Sequence, residues 1–138
     1  FIDCFHSCIV LKNLYKTHGL FRLDGCERVI SRGYDYVKHA FQDPVSGLYR
    51  RFSLANKPGL VQFDLYDNAE MLALSLLLKD SKETNRLLPI IESTFQVGET
   101  IYSQLVVGGL RKNKNMLRWA VMPYLYALSI KHTPADSL

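Results

Sequence analysis

The sequence predicts an all-α domain built from stacked helical hairpins. Five segments carry apolar residues at the spacing of amphipathic helices. A motif of the form Asp, any residue, aromatic, polar opens the first and third segments, 61 positions apart. A capping-box motif opens the second and fourth segments, 56 positions apart. Two landmarks at nearly one period indicate a repeat in which each hairpin buries its apolar face against the next.

The first hairpin is predicted from two amphipathic segments. Apolar residues recur at helical spacing over residues 2–17, and the pattern stops at Gly19, which suits the end of a helix. Asp24 and Glu27 then have the spacing of a capping box, in which the side chain of each residue accepts a hydrogen bond from the backbone N–H of the other. A second helix is therefore expected over residues 25–41.

Between the second and third helices, proline and glycine interrupt the helical pattern. This connector covers residues 42–63 and contains two short extended runs, 48–54 and 60–63. Runs of this length are able to pair as a β-hairpin. We expect a short β connector at this position.

Three further helices complete the predicted frame. The third, over residues 66–79, is apolar on nearly every side, which indicates a helix buried in the middle of the domain. The fourth follows the second capping box and ends before Gly98, and Pro89 is expected to kink it. Alternating residues at 101–107 predict a second β connector, followed by a glycine turn and a basic turn. The fifth helix is expected over residues 116–131.

Length, composition and charge exclude several classes of protein. A chain of 138 residues with 48% hydrophobic and 22% charged residues is typical of a single globular domain over residues 1–138. The net charge of +4 is spread along the chain without a basic stripe, so we expect no nucleic-acid partner. No apolar run reaches the roughly 18 residues of a membrane span, so no membrane span is expected either.

The cysteines predict the redox compartment of the protein, and the first residue predicts a longer parent chain. The chain has three cysteines, Cys4, Cys8 and Cys26. This odd number and their spacing fit neither a disulfide framework nor a zinc site. We therefore expect buried thiols, no metal and a cytoplasmic, reducing location. No phosphate-binding or dinucleotide-binding glycine loop is present in the sequence, so no cofactor is expected. The chain begins at Phe1 without an initiator Met, which predicts a fragment of a longer protein.

Short motifs along the chain mark a resemblance to a known family. They are Asp3-Cys-Phe-His6, Gly47-Leu-Tyr49, Gln62-Phe-Asp64 leading into Ala69-Glu70, and Leu117-Arg-Trp119. With them, nearly the whole chain resembles an (α/α)-toroid family of uncharacterised proteins encoded among bacterial and archaeal polysaccharide-biosynthesis genes. That family is similar in fold to six-hairpin glycosidases, polysaccharide lyases and N-acylglucosamine 2-epimerase-like proteins. The resemblance implies that this chain is the C-terminal part of a longer toroid. The sequence departs from the family at Tyr66, where a His is expected, and at Glu70, where Gln is common.

The resemblance implies a sugar site where the inner helices begin. In such a toroid the odd-numbered helices line the centre, so the residues that open the first, third and fifth helices should meet. Sugar chemistry requires two carboxyl groups, one protonated and one ionised, roughly 5 to 9.5 Å apart, with aromatic faces for the ring. The resemblance thus implies acid–base catalysis by Asp64, Asp67, His6 and Glu70, and substrate binding by Asp3, Tyr66, Tyr49, Arg118 and Trp119.

Each of these residues also has an ordinary structural role. Carboxylates at a helix start accept hydrogen bonds from free backbone N–H groups, which applies to Asp3, Asp64 and Asp67. His6 is equally consistent with a hydrogen-bonded core histidine, and Trp119 with a packing residue of the last helix. The residue types alone leave both sets of roles open.

Two functions from different classes follow from the sequence. The first is a carbohydrate-related protein of polysaccharide biosynthesis or modification, such as a glycoside hydrolase, lyase or epimerase-like enzyme with carboxylate acid–base chemistry. The second is a non-catalytic helical-repeat scaffold that binds glycan or protein partners. The expected partner is a glycan or a sugar-containing small molecule. An incomplete toroid also predicts a homo-oligomer, or association with the missing N-terminal part.

Overall fold

A computed structural model describes residues 2–55 and 59–132 of the chain. Over these ranges the protein is a mixed α/β domain, in which five α-helices pack with a four-stranded antiparallel sheet. The predicted all-α class is therefore wrong, and so is the predicted toroid segment of stacked helical hairpins. Three strands of the sheet lie in segments that the sequence predicts as separate connectors or turns, namely 61–64, 100–106 and 110–114.

Helices are present in all five predicted segments. Their apolar faces recur at a local spacing that does not depend on distant pairing, which is why the sequence locates them well. A π-helical turn, Leu117–Val121, precedes the last helix. The bounds are α1 Cys4–Phe21, α2 Cys26–Phe41, α3 Leu65–Leu77, α4 Ser81–Phe95 and α5 Met122–His132.

Aspartate side chains cap three of the helices. Asp3, Asp64 and Asp80 precede α1, α3 and α4, and each carboxylate accepts a hydrogen bond from a backbone N–H two or three residues further along, at 3.0, 2.9 and 3.0 Å. The cap predicted for α2 is wrong: Gly25, with a φ of 71°, stands at that N-cap and no side chain caps the helix. The three aspartate caps fix the points at which the chain enters these helices.

The sheet is organised around its longest strand. The strands are β1 Val61–Asp64, β2 Gln96–Val97, β3 Thr100–Val106 and β4 Leu110–Lys114. β3 pairs antiparallel with each of the other three. Along this sheet, Gln104 lies opposite Asp64 on β1 and opposite Lys112 on β4. The register therefore brings the start of α3 beside the centre of the sheet.

The two predicted β connectors are corrected by this pairing. Residues 60–63 were expected to pair with 48–54, but the strand at 61–64 pairs instead with residues 104–106 of β3. Within the described part of 48–54, Tyr49 and Phe52 form only isolated bridges, to Gln42 and Asp3. The basic segment 110–114, predicted as a turn, is the fourth strand. The pairing of β1 with β3 joins residues 40 to 45 positions apart, which a local pattern does not reveal.

The centre of the molecule is α3, as the sequence predicts. It packs against α1, α4 and α5, and its apolar residues Leu65, Met71, Leu72 and Leu74 have no exposed surface. A helix enclosed on so many sides supplies a rigid base for the residues at its first turn. None of the described helices is long and apolar enough to cross a membrane.

Candidate functional site

Charged side chains from three elements meet beside the start of α3. Arg51, in the segment between α2 and β1, lies at the centre of this group. Its Nη2 atom is 3.1 Å from Oδ2 of Asp64, and its Nε donates a hydrogen bond of 3.3 Å to Oδ2 of Asp67. The carbonyl of Arg51 accepts a hydrogen bond of 2.9 Å from the N–H of Cys4. The backbone of this segment is thus tied to the start of α1, which holds the guanidinium between the two carboxyl groups.

Asp64 joins the helix start to the sheet. Its Oδ1 accepts the capping hydrogen bond from the N–H of Tyr66, and its Oδ2 accepts a 3.2 Å hydrogen bond from Nε2 of Gln104 as well as the contact with Arg51. The side chain is mostly buried, yet it lines a cavity. Asp64 is therefore both a helix cap and the carboxylate of the cavity wall.

Asp67 lies behind Arg51 and has no exposed surface. Its Oδ1 accepts a 3.2 Å hydrogen bond from the N–H of Phe5 on α1. Burial raises the pKa of Asp67 to about 7; the charge of Asp64 adds to this rise, and Arg51 opposes it. At neutral pH the carboxyl group of Asp67 is therefore about half ionised. At lower pH it is mostly protonated and adds little negative charge to the site.

The cavity has a volume of about 250 Å³. This is slightly below the roughly 300 Å³ at which pockets for drug-sized ligands begin, so the space suits one small ring. The lining combines charged and polar residues with two phenylalanines. The lining residues are Arg50, Arg51, Phe52, Ser53, Gly59, Val61, Gln62, Phe63, Asp64 and Gln104.

Both arginines of the cavity wall are paired with carboxylates. Arg51 is held by Asp64 and Asp67, as described above. Nη2 of Arg50 is 2.5 Å from Oδ1 of Asp43, and Oδ2 of Asp43 accepts hydrogen bonds from the backbone N–H and the hydroxyl of Ser46. Burial raises the pKa of Asp43, but the hydrogen bonds from Ser46 and Arg50 outweigh it and leave the pKa below its ordinary value. The cavity is therefore polar without a large excess of charge.

A line of aromatic rings runs from the charged group across the surface, and we call it the aromatic row. It consists of His6, Phe5, Tyr66 and Trp119, whose neighbouring ring centroids are 3.9, 4.9 and 5.6 Å apart. The guanidinium of Arg51 lies 5.4 Å from the Phe5 ring, the second of the row, and that of Arg118 lies 4.8 Å from the Trp119 ring at its end. The row joins α1, α3 and the π-helical turn.

Most of the residues implied by the family resemblance lie around this group. Asp3 is buried and its carboxylate is 2.8 Å from Nδ1 of His6, whose side chain is 68% exposed. Asp64 and Asp67 share Arg51. Tyr66, Arg118 and Trp119 lie along or beside the aromatic row. The starts of α1 and α3 and the π-helical turn thus meet on one side of the molecule.

Glu70 lies apart from the cavity. It is buried between α1 and α3, and its Oε2 is 2.5 Å from Nζ of Lys12, which is itself 7% exposed. The Lys12 ammonium also lies 5.2 Å from the Tyr126 ring. Glu70 therefore forms an interior ion pair between two helices, and no surface of the cavity includes it.

Tyr49 is also separated from any ligand surface. Its side chain is fully buried, and its hydroxyl donates a 2.7 Å hydrogen bond to Glu83. Burial and the neighbouring Glu83 carboxylate raise the pKa of this phenol far above its ordinary value. In addition, its N–H donates to the side chain of Asn68 at 2.8 Å. Tyr49 thus packs the core and anchors the connector against α3.

The site residues predicted from the sequence do not include Arg51, Gln104 or Phe5. The sequence predicts the Arg50-Arg51 pair as solvated charge, or as a contact for an acidic sugar or a phosphate if the pair faces a cavity mouth. Gln104 stands on a strand whose partner β1 is distant in sequence. Phe5 was predicted as part of the apolar face of the first helix and as the aromatic position of the Asp3-Cys-Phe-His6 motif, without a role in the site. The sequence signal for Arg51 was its position next to Arg50, two residues after the Gly47-Leu-Tyr49 motif.

Comparison with protein-family models, curated protein sequences and solved structures finds no match for this chain. The relationship to the polysaccharide-biosynthesis family therefore stays a prediction. Among the described residues, no group of three or more His, Cys, Asp and Glu side chains is placed to hold a metal ion.

Proposed function

We propose that this chain binds a single sugar ring in the cavity between β1, β3 and the connector, as part of the biosynthesis or modification of a polysaccharide. The observation that carries the proposal is the linked polar group Arg51, Asp64 and Gln104 in the lining of a cavity that also includes Phe52 and Phe63. A sugar ring carries hydroxyl groups around its edge and apolar C–H groups on its faces. Planar polar side chains form hydrogen bonds with the hydroxyl groups, and aromatic rings pack against the C–H groups.

The linked polar group is held in place before any ligand arrives. Asp64 is fixed by its capping bond, and Gln104 donates to it while accepting a 3.0 Å hydrogen bond from Asn113. Arg51 is fixed by two carboxyl groups. Side chains that are already ordered lose little conformational freedom on binding, so their hydrogen bonds contribute more fully to affinity.

The pairing of charges favours hydroxyl groups over an ionic group inside the cavity. Each arginine of the wall has a carboxylate partner, so neither presents an uncompensated positive charge. A hydroxyl group both donates and accepts hydrogen bonds, and it bridges a carboxylate and a guanidinium without adding charge. A neutral ring therefore suits this wall better than a phosphate or a free carboxylate.

The arrangement supports binding more strongly than two-carboxylate catalysis. Glycoside hydrolysis requires two carboxyl groups that both face the sugar. Asp64 lines the cavity, whereas Asp67 is buried behind Arg51 and contacts Phe5. We therefore assign ligand contact to Asp64 and the positioning of Arg51 to Asp67. This corresponds to the non-catalytic alternative, with glycan as the partner.

The cysteines support a cytoplasmic location for this function. Cys4, Cys8 and Cys26 are all free and buried. Burial raises the pKa of the Cys4 thiol, which keeps it protonated and unreactive. Free thiols of this kind are typical of a reducing compartment. Self-association of the chain stays a prediction.

The proposal is tested by isothermal titration with neutral, amino and uronic-acid monosaccharides and with the Asp64→Asn variant. Asparagine caps a helix about as well as aspartate, so the fold is kept while the ionic contact with Arg51 is lost. We expect at least one sugar to bind the unmodified chain, and the variant to bind it about tenfold more weakly.

Asp80→Asn is the matched control for this experiment. Asp80 caps α4 in the same manner and pairs with Lys38, but it lies outside the cavity. Its replacement should leave sugar affinity unchanged. Equal losses of affinity in the two variants, or no binding by any sugar, would contradict the proposal.

A further inference from the structure

We propose that the aromatic row is a second subsite, which takes an acidic sugar residue joined to the ring in the cavity. This inference rests on the proposed function and names its ligand class: an oligosaccharide of at least two units, of which the one on the row carries a carboxylate or a sulfate group. The subsite uses Tyr66, Trp119 and Arg118, and none of these residues lines the cavity.

The row is accessible to a ligand. Trp119 is 46% exposed, and Tyr66 beside it is partly exposed. Aromatic side chains bury more apolar area than most residues, so a tryptophan exposed to this extent beside a second ring leaves a large apolar surface in contact with water. The Tyr66 and Trp119 rings meet nearly at right angles, with an interplanar angle of 78°. The aromatic surface that stays exposed beside Arg118 suits the apolar face of one sugar ring.

The row is continuous with the cavity. Arg51 lines the cavity, and its guanidinium also lies over the Phe5 ring at 5.4 Å. Asp64 lines the cavity, and it accepts the backbone N–H of Tyr66. Arg51 and Asp64 thus belong to the cavity lining and also contact residues of the row. A ligand that fills the cavity and extends along the surface passes directly onto the row.

The charge at the far end of the row specifies the second unit. Arg118 is exposed and lies 4.8 Å from the Trp119 ring. None of the ion pairs formed within residues 2–55 and 59–132 includes Arg118, whereas Arg50 and Arg51 each contact a carboxylate. A guanidinium beside an aromatic face binds carboxylate and sulfate groups through paired hydrogen bonds. The subsite therefore suits an acidic sugar, in contrast to the charge-balanced cavity.

The test compares acidic disaccharides with two matched probes. Uronic-acid-containing disaccharides are titrated beside their carboxyl-reduced neutral forms and beside the monosaccharide that fills the cavity. We expect the acidic disaccharide to bind at least tenfold more tightly than either probe. In the Arg118→Gln variant this advantage should fall to less than threefold, while the affinity for the monosaccharide stays unchanged. Arg32→Gln, which changes an exposed arginine on α2, is the matched control and should keep the full advantage.

A second measurement does not depend on any variant. Trp119 is the single tryptophan of the chain, so its fluorescence reports on the row directly. Binding of the acidic disaccharide should shift or quench this emission, whereas the monosaccharide should leave it nearly unchanged.

The possible outcomes separate the two proposals. Equal affinity for the acidic disaccharide, its carboxyl-reduced form and the monosaccharide would overturn the second subsite and leave the sugar-binding cavity intact. Unchanged tryptophan fluorescence on disaccharide binding would also overturn it. Absence of binding by every sugar would overturn the proposed function, and the second subsite with it.

Discussion

Asp67 is the residue at which burial and ionisation are most closely linked. The side chain has no exposed surface, and burial raises its pKa to about 7 from the ordinary value of 3.8. Its hydrogen bond from the N–H of Phe5 joins α1 to α3, and its contact with Arg51 reaches the cavity wall. The protonation of one buried group thus affects both the stability of the fold and the side chain that positions the site.

The raised pKa predicts the sign of a pH dependence. Between about pH 4 and pH 7 the folded chain keeps a proton on Asp67 that the unfolded chain has released. Because the unfolded state then binds fewer protons, the free energy of unfolding falls as the pH rises through this window. One pKa unit corresponds to about 1.4 kcal/mol, so we expect a contribution on the order of 2 to 4 kcal/mol.

The Asp67→Asn variant isolates this contribution. Asparagine keeps an acceptor for the Phe5 N–H but does not ionise, so denaturant unfolding at pH 5 and pH 8 should show a smaller decline than in the unmodified chain. Asp35→Asn, at an exposed position on α2, should leave the decline as it is. An unchanged decline in Asp67→Asn would show that another group is responsible.

At the residue scale, the sequence located most of the carboxyl groups of the site and missed their partners. Asp3 and Asp64 were predicted as possible caps, and both cap helices. Capping is a local interaction over two or three residues, so the sequence pattern is sufficient for it. Arg51 and Gln104 join the site through contacts across 13 and 40 positions, and no local pattern carries that information.

At the element scale, α1 and α3 are joined by a buried ion pair. Lys12 and Glu70 are both almost fully buried, and their charged atoms are 2.5 Å apart. A buried pair is costly to desolvate, and its partners depend on each other: removing one leaves an uncompensated charge in the interior. The pair therefore joins α1 to α3, the same two helices that the hydrogen bond from Phe5 to Asp67 connects.

We expect the Lys12→Met variant to lower the free energy of unfolding by about 3 kcal/mol at neutral pH, because Glu70 loses its cation. Lys16→Met is the matched control one helical turn away. Lys16 is exposed and donates to the Tyr126 hydroxyl, so its loss should cost less than about 1 kcal/mol. Similar losses in the two variants, measured by denaturant unfolding, would contradict a special role for the buried pair.

Among the elements, the helices were predicted correctly from the sequence and the sheet was not. Helical periodicity is visible within a few turns, and the five helices were located from it. The strands at 61–64 and 100–106 were recognised as extended, but their pairing was not. The strand at 110–114 is exposed throughout and rich in basic residues, so it lacks the alternation that marks a half-buried strand. The fold class was wrong because β4 was predicted as a turn and because β1 pairs with β3 across 40 to 45 positions.

At the scale of the whole molecule, the sheet and the helix starts together create the site. β3 brings Gln104 to Asp64, the connector brings Arg51, and α1 supplies Phe5 and His6. The cavity and the aromatic row lie next to each other but differ in charge, because the arginines of the cavity are paired and Arg118 is not included in the ion pairs of the described residues. This difference is the basis for a ligand with one neutral and one acidic unit.

The central claim is that the wall formed by Arg51, Asp64 and Gln104 is where a sugar binds. The most direct measurement is a titration of the isotope-labelled chain with a binding monosaccharide, followed by amide and side-chain NMR signals. We expect the largest shifts on these three residues and on Phe52 and Val61 of the same cavity. Shifts centred elsewhere, such as on the turn between α1 and α2, or no shifts with any sugar, would contradict the claim.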